Sequence, residues 1–133
     1  MHIVLAVSDV DRAHDFYRGV FGWTSHLQWP GEYTELVVTD DDRLGLYRRD
    51  GWAETAGAEP VEVNGHVSPA YLYVRVDDLD ETIERLGKAG ARPLSRRAER
   101  GWGDEAAYFA DPDGNVVAVA RRLDSNTPSA VDM

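Results

Sequence analysis

Apolar positions along the chain follow two rhythms, and the pair of rhythms occurs twice in the same order. Near the start, Ile3, Leu5 and Val7 alternate with His2, Val4 and Ala6, the period of two expected of a strand. From Val10 the period lengthens: Val10, Ala13, Phe16 or Tyr17, and Val20 fall at helical spacing. Ser8 or Asp9 can cap that helix and Gly22 can end it. Further on, Leu72, Val74 and Val76 alternate with Tyr71, Tyr73 and Arg75. Leu79, Ile83, Leu86 and Ala89 then form a second helical stripe, with Asp77 or Asp78 as cap and Gly90 as stop. Acidic residues in both first turns suit the positive end of the helix dipole.

Three strand-like segments follow each helix. After the first they run over about 24–29, 33–39 and 43–48, separated by "WPGEY" and "TDDDR". After the second they run over about 92–95, 105–110 and 115–121, with "DPDGN" supplying the turn before the last. "VLAVSDVDRAHDFYRGVFGW" from Val4 and "YVRVDDLDETIERLGKAGAR" from Tyr73 align at an offset of 69, pairing Val7 with Val76, Asp9 with Asp78, Val10 with Leu79 and Asp11 with Asp80. The chain therefore reads βαβββ twice. The expected organisation is one domain over 1–133, with a first module at 1–48, a connection at 49–70, a second module at 71–122 and a frayed polar tail at 123–133. A connection of that length is unusual in a compact domain and is often functional or mobile; it carries Trp52.

Composition narrows the function classes. There is no cysteine, so disulfides, thiolate metal sites and cysteine nucleophiles are excluded. The net charge of -10 argues against a nucleic-acid backbone or an anionic membrane as partner; it suits solubility and a neutral or cationic ligand. No apolar run is long enough to span a membrane, and "MHIVLAVSDVDR" has no basic n-region or long h-region, so a cytoplasmic protein without a signal peptide is expected. No Ser-His-Asp order, phosphate loop or HExxH is present.

"VSDVDRAHDFYRGVFGW", "VRVDDLDETIERLGKAGAR" and "AYFADPDGN", in this order and spacing, resemble the vicinal oxygen chelate superfamily over roughly residues 1–122. That superfamily includes glyoxalase I, bleomycin-resistance proteins, fosfomycin-resistance enzymes and extradiol dioxygenases. The resemblance implies an α+β fold in which two βαβββ modules form a curled mixed sheet, an open barrel around a cavity, with helices outside. It also implies a divalent-metal site with ligands on the first and fourth strand of each module. His2 stands at the first ligand position, but Tyr71, Gly45 and Ala118 stand at the other three. One neutral His would hold a metal on the order of millimolar, so no bound metal and no cofactor are expected.

The same alternation lists what lines the expected cavity. Tyr71, Tyr73 and Arg75 face inward from the fifth strand, Gly45 and Tyr47 from the fourth, and Tyr108 from the seventh, with Phe109 in the core. By resemblance to the fosfomycin-resistance enzymes, the face of the second strand bearing Trp29, Leu27 and Ser25 looks into the site. Trp102 lies at the rim. Gly45, Ala106, Ala118 and Ala120 make volume. The expected ligand-binding set is thus His2, Trp29, Tyr47, Tyr71, Tyr73, Arg75, Trp102 and Tyr108: aromatic, spacious, with Arg75 as its cation, and suited to a planar organic molecule. His14, His26 and His66 read as surface or loop residues, and Glu35 as a possible lone acid of the cavity.

These features point to a metal-free binding protein of the bleomycin-resistance type. It would sequester an aromatic natural product or antibiotic and pair as a homodimer, with no residue assigned to catalysis. The alternative is an enzyme: metal-free acid–base chemistry by Tyr71 or Tyr108 with Arg75 or, less favoured by the residues present, a metal-dependent reaction. A third reading is a structural or regulatory dimer without a dedicated ligand.

Overall fold

The computed structural model describes residues 1–123; the expected tail from Asp124 onward lies outside the described residues. The elements run β1 (His2–Val7), α1 (Val10–Phe21), β2 (Thr24–Trp29), β3 (Tyr33–Val37), β4 (Arg43–Arg48), α2 (Arg49–Ala56), β5 (Tyr71–Arg75), α3 (Leu79–Lys88), β6 (Arg92–Glu99), β7 (Asp104–Ala110) and β8 (Val116–Arg122). They form two compact units, one over Met1–His66 and one from Val67 onward. The fold is α+β. Each unit holds one mixed four-stranded sheet, ordered β1-β4-β3-β2 in the first and β5-β8-β7-β6 in the second, and no strand pairing closes either sheet into a barrel.

Both repeated helices start and stop as their residues dictate. Asp9 accepts a hydrogen bond from the Arg12 amide at 3.0 Å, and Gly22 ends α1 with φ 74°, where its amide meets the Arg18 carbonyl at 2.7 Å. Asp78 accepts from the Glu81 amide at 3.0 Å, and Gly90 takes φ 81° just beyond α3. In the first unit Val10, Ala13, Phe16, Tyr17 and Val20 of α1 are buried, as are Val7, Leu36, Leu44 and Leu46 of the sheet. In the second unit Leu79 and Leu86 of α3 are buried, with Ala107, Phe109, Val117 and Val119 of the sheet. Each helix thus occupies one face of its sheet and leaves the other for a different use.

The turn "DPDGN" is built as its residues suggest. Asp111 Oδ1 accepts from the amides of Asp113 at 2.8 Å and Asn115 at 2.9 Å, and Gly114 takes φ 85°. It launches β8 between β5 and β7. Ala118 pairs with Tyr73 on one side and Tyr108 on the other, so its methyl group lies between two large rings in register.

Four expectations need correction. The connection at 49–70 is not structureless: Arg49–Ala56 is helical. Its start has no side-chain cap and Gly51 lies inside it, so the local helix signal is weak. Ser25 does not share a face with Leu27 and Trp29. The β2–β3 register shifts between Ser25 and Leu27, and this bulge turns Ser25 toward α1. There His14 meets its hydroxyl at 2.8 Å, so His14 ties α1 to β2 rather than standing in solvent. Finally, β6 continues to Glu99 and β3 stops at Val37.

Candidate functional site

The free face of the first sheet follows from its ladders. His2, Val4 and Ala6 pair with Arg43, Gly45 and Tyr47; Gly45 and Tyr47 pair with Glu35 and Tyr33; these pair with Leu27 and Trp29. Residues side by side in a ladder point the same way. His2, Val4, Glu35, Tyr33, Tyr47, Leu27 and Trp29 therefore share the face opposite α1. Helix α2 adds Trp52, Thr55 and Ala56, and together they line a pocket of about 740 Å³.

The contribution of α2 is anchored at two points. The Trp52 indole N–H donates to the Val4 carbonyl at 3.3 Å, on the open edge of β1. The Tyr47 hydroxyl meets Thr55 Oγ1 at 3.0 Å. A Cβ on Gly51 would lie 2.4 Å from the Tyr47 ring, so glycine is what lets the ring pack against the helix. The aromatic wall is continuous: Trp29 and Tyr33 have ring centroids 5.7 Å apart, and Tyr33 and Tyr47 meet edge to face at 5.3 Å.

A polar knot lies in this wall. His2 Nε2 is 3.0 Å from the Tyr33 hydroxyl and 3.0 Å from Glu35 Oε1, and the Tyr33 hydroxyl donates to the same oxygen at 3.4 Å. His26 Nε2 is 3.8 Å from Glu35 Oε2. Burial, then the negative charge of Glu35 and its hydrogen bond, push the Tyr33 phenol up to about 12.

The free face of the second sheet is built around an acid. Asp104 is fully buried at the start of β7. Its Oδ2 accepts from the Tyr73 hydroxyl at 2.7 Å and from Arg75 Nε at 3.0 Å, and its Oδ1 lies 3.1 Å from Arg122 Nε. The Trp102 indole N–H donates to the Tyr73 hydroxyl at 2.8 Å. Burial pushes the Asp104 carboxyl up, but the bonds from Tyr73 and Arg75 and the charges of Arg75 and Arg122 outweigh it and hold it below the usual carboxylate range. Tyr71 and Tyr108 meet edge to face at 5.2 Å, and the Arg100 guanidinium lies 5.1 Å from the Tyr108 ring centroid. Burial and the neighbouring Tyr71 push Tyr108 up to about 12.

The eight expected residues thus fall into two groups. His2, Trp29 and Tyr47 line the first unit's pocket. Tyr71, Tyr73, Arg75, Trp102 and Tyr108 gather on the second sheet, where Arg75 is not a lone cation: Arg100 and Arg122 accompany it, and Arg75 is engaged by Asp104. Sequence reasoning missed Asp104, read as part of a loop, and Tyr33. The signal for Tyr33 was Gly45, since a glycine inside a strand often marks a close approach.

A model of the Glyoxalase/Bleomycin resistance protein/Dioxygenase superfamily matches residues 1–119. The chain belongs to this superfamily. Among similar superfamily proteins, a glyoxylase-like domain-containing protein of Didymella fabae is 29% identical over 122 residues, covering 90% of this chain and 91% of that protein. The anthracycline biosynthesis protein DnrV of Streptomyces peucetius is 29% identical over 123 residues, covering 89% of this chain; the match spans only 45% of DnrV. The fold is that of a glyoxalase-related enzyme from Fulvimarina pelagi, with a TM-score of 0.79 at 23% identity, covering 91% of this chain and 86% of that one.

The metal site implied by the resemblance to the superfamily's metalloenzymes does not fit the residues present. A Cβ on Gly45 would lie 2.6 Å from the Tyr33 hydroxyl, so the space for a carboxylate on β4 is filled by a phenol. His2 Nε2 contacts Glu35 and Tyr33 directly. On the second sheet Ala118 carries no donor. Among the described residues, no group of three or more His, Asp or Glu side chains is placed to hold a metal ion.

Proposed function

We propose that this chain is a small-molecule-binding protein of the bleomycin-resistance type, which holds a planar or aromatic natural product without a metal. The observation that carries the reading is the pocket of about 740 Å³, walled by Trp29, Tyr33, Tyr47 and Trp52, in which a phenol stands where a metalloenzyme needs a carboxylate. Flat ring faces and a few hydroxyl groups suit a planar ligand. Similarity to a protein of anthracycline biosynthesis supports a ligand of that general kind. Tyr71, Tyr73, Arg75, Trp102 and Tyr108 supply a second aromatic surface for the same role, and two chains pair as a homodimer in the cytoplasm.

The test is a tryptophan-fluorescence titration with planar aromatic compounds, followed by recovery of the bound compound. Saturable quenching with the compound returned unchanged supports sequestration. A compound returned altered overturns it.

A second reading has one observation in its favour. His2 Nε2 bridges the Tyr33 hydroxyl and Glu35 Oε1, a chain of groups able to pass a proton to a bound ligand without a metal. Turnover lost on Tyr33→Phe with affinity retained would establish it.

A further inference from the structure

Three carboxylates reach the sheets with 19% exposure or less, and their countercharges differ. Asp104 has Arg75 and Arg122. Glu105, with 19% of its side chain exposed, has Arg97 at 3.1 Å and Arg121 at 2.8 Å. Glu35, with 13% exposed, has only His2 and His26. Among the described residues no Lys or Arg nitrogen comes within ion-pair distance of it. It is also the sole carboxylate lining the first unit's pocket, and no Lys or Arg lines that pocket. A half-buried carboxylate in apolar surroundings carries a desolvation cost that a full positive charge would offset. The second unit meets that cost twice with arginine pairs; the first unit leaves the place open, on the side where the pocket lies.

We infer that the ligand of this pocket is an arylalkyl amine, whose protonated nitrogen, carried on a saturated carbon, pairs with Glu35 while its ring system packs against Trp29, Tyr47 and Trp52. The inference rests on the pocket being a ligand site and names the chemical class of that ligand. The net charge of -10 draws cations toward the protein at low salt. The high phenol pKa of Tyr33 agrees: its hydroxyl stays a neutral donor and offers no competing charge.

The experiment compares naphthylmethylamine with its neutral isostere naphthalenemethanol, both titrated into the full chain with tryptophan fluorescence as readout. The wild type is expected to bind the amine about tenfold more tightly, the ratio worth one charge-assisted contact. In Glu35→Gln the ratio should fall to about one, with a thermal melt of the variant showing that it is folded. The wild-type preference should shrink with added sodium chloride. Equal affinity of the wild type for both compounds overturns the inference and leaves the binding reading standing, as does a preference that survives in Glu35→Gln. Failure of both compounds to bind removes the pocket as a ligand site, and the inference with it.

Discussion

The phenol of Tyr33 occupies the space above Gly45, its diagonal neighbour across the β3–β4 ladder, two residues from the Glu35 that pairs with Gly45: a Cβ on Gly45 would meet the hydroxyl at 2.6 Å and Cε1 at 2.9 Å. Tyr33 is itself buried, with Tyr47 and Trp29 on either side, so the ring has little room to retreat. Gly45→Ala is therefore expected to lower stability by about 1–3 kcal/mol, the range for overpacking. Urea denaturation checks the value. The cost should vanish in a Tyr33→Ala background, and a cost unchanged in the double variant would remove the steric explanation.

The same phenol sets an alkaline limit. Its folded pKa of about 12 lies above the ordinary tyrosine value of about 10. A group raised in the folded state contributes stability that is fully present below the unfolded value and is lost as pH rises through the folded one. Stability should therefore fall between about pH 10 and 12, and Tyr33→Phe should flatten that fall. Absorbance titration of phenolate should lose one late-ionising tyrosine in the same variant.

Asp104 gives the acid counterpart. Its pKa is held below the unfolded carboxylate value of about 4, so its contribution is present above that value and lost as pH falls through the folded one. Asp104→Asn is expected to cost about 2 kcal/mol at neutral pH, because Arg75 and Arg122 lose their shared partner but remain half-exposed to water. The difference from the wild type should narrow below about pH 4. Paired denaturation curves at neutral and acid pH decide this, and a constant difference would assign the cost to packing.

Trp29 offers the most exposed ring of the pocket, 57% accessible. Trp29→Ala should leave the melting temperature within a few degrees of the wild type, since little buried area is lost. It should weaken a planar ligand roughly tenfold through lost stacking and area burial. Calorimetric titration beside a thermal melt separates the two effects; a large drop in melting temperature would mark Trp29 as structural.

Local signals made most of the fold legible. Asp9, Asp78 and the "DPDGN" turn act through neighbours a few residues away, so their roles are written in adjacent letters. The alternation of β1 and β5 carried the correct faces for His2, Tyr71, Tyr73 and Arg75 because those strands are regular. Where the sequence misled, the cause was an interaction over distance. The bulge at His26 reverses Ser25 without any turn residue to announce it. Helix α2 draws on the Trp52 bond to β1 rather than on propensity. Tyr33 stands at a position whose meaning depends on Gly45 across the ladder, and Asp104 gains its partners from β5 and β8.

We propose that the first unit's pocket binds a planar organic molecule without a metal. Native mass spectrometry of the chain with a panel of such compounds, run before and after dialysis against a strong chelator, tests it most directly. A one-to-one adduct is expected, with the same abundance and mass in both runs and diminished in Trp29→Ala. An adduct that appears only with a metal ion, or a compound whose mass has changed on release, would contradict it.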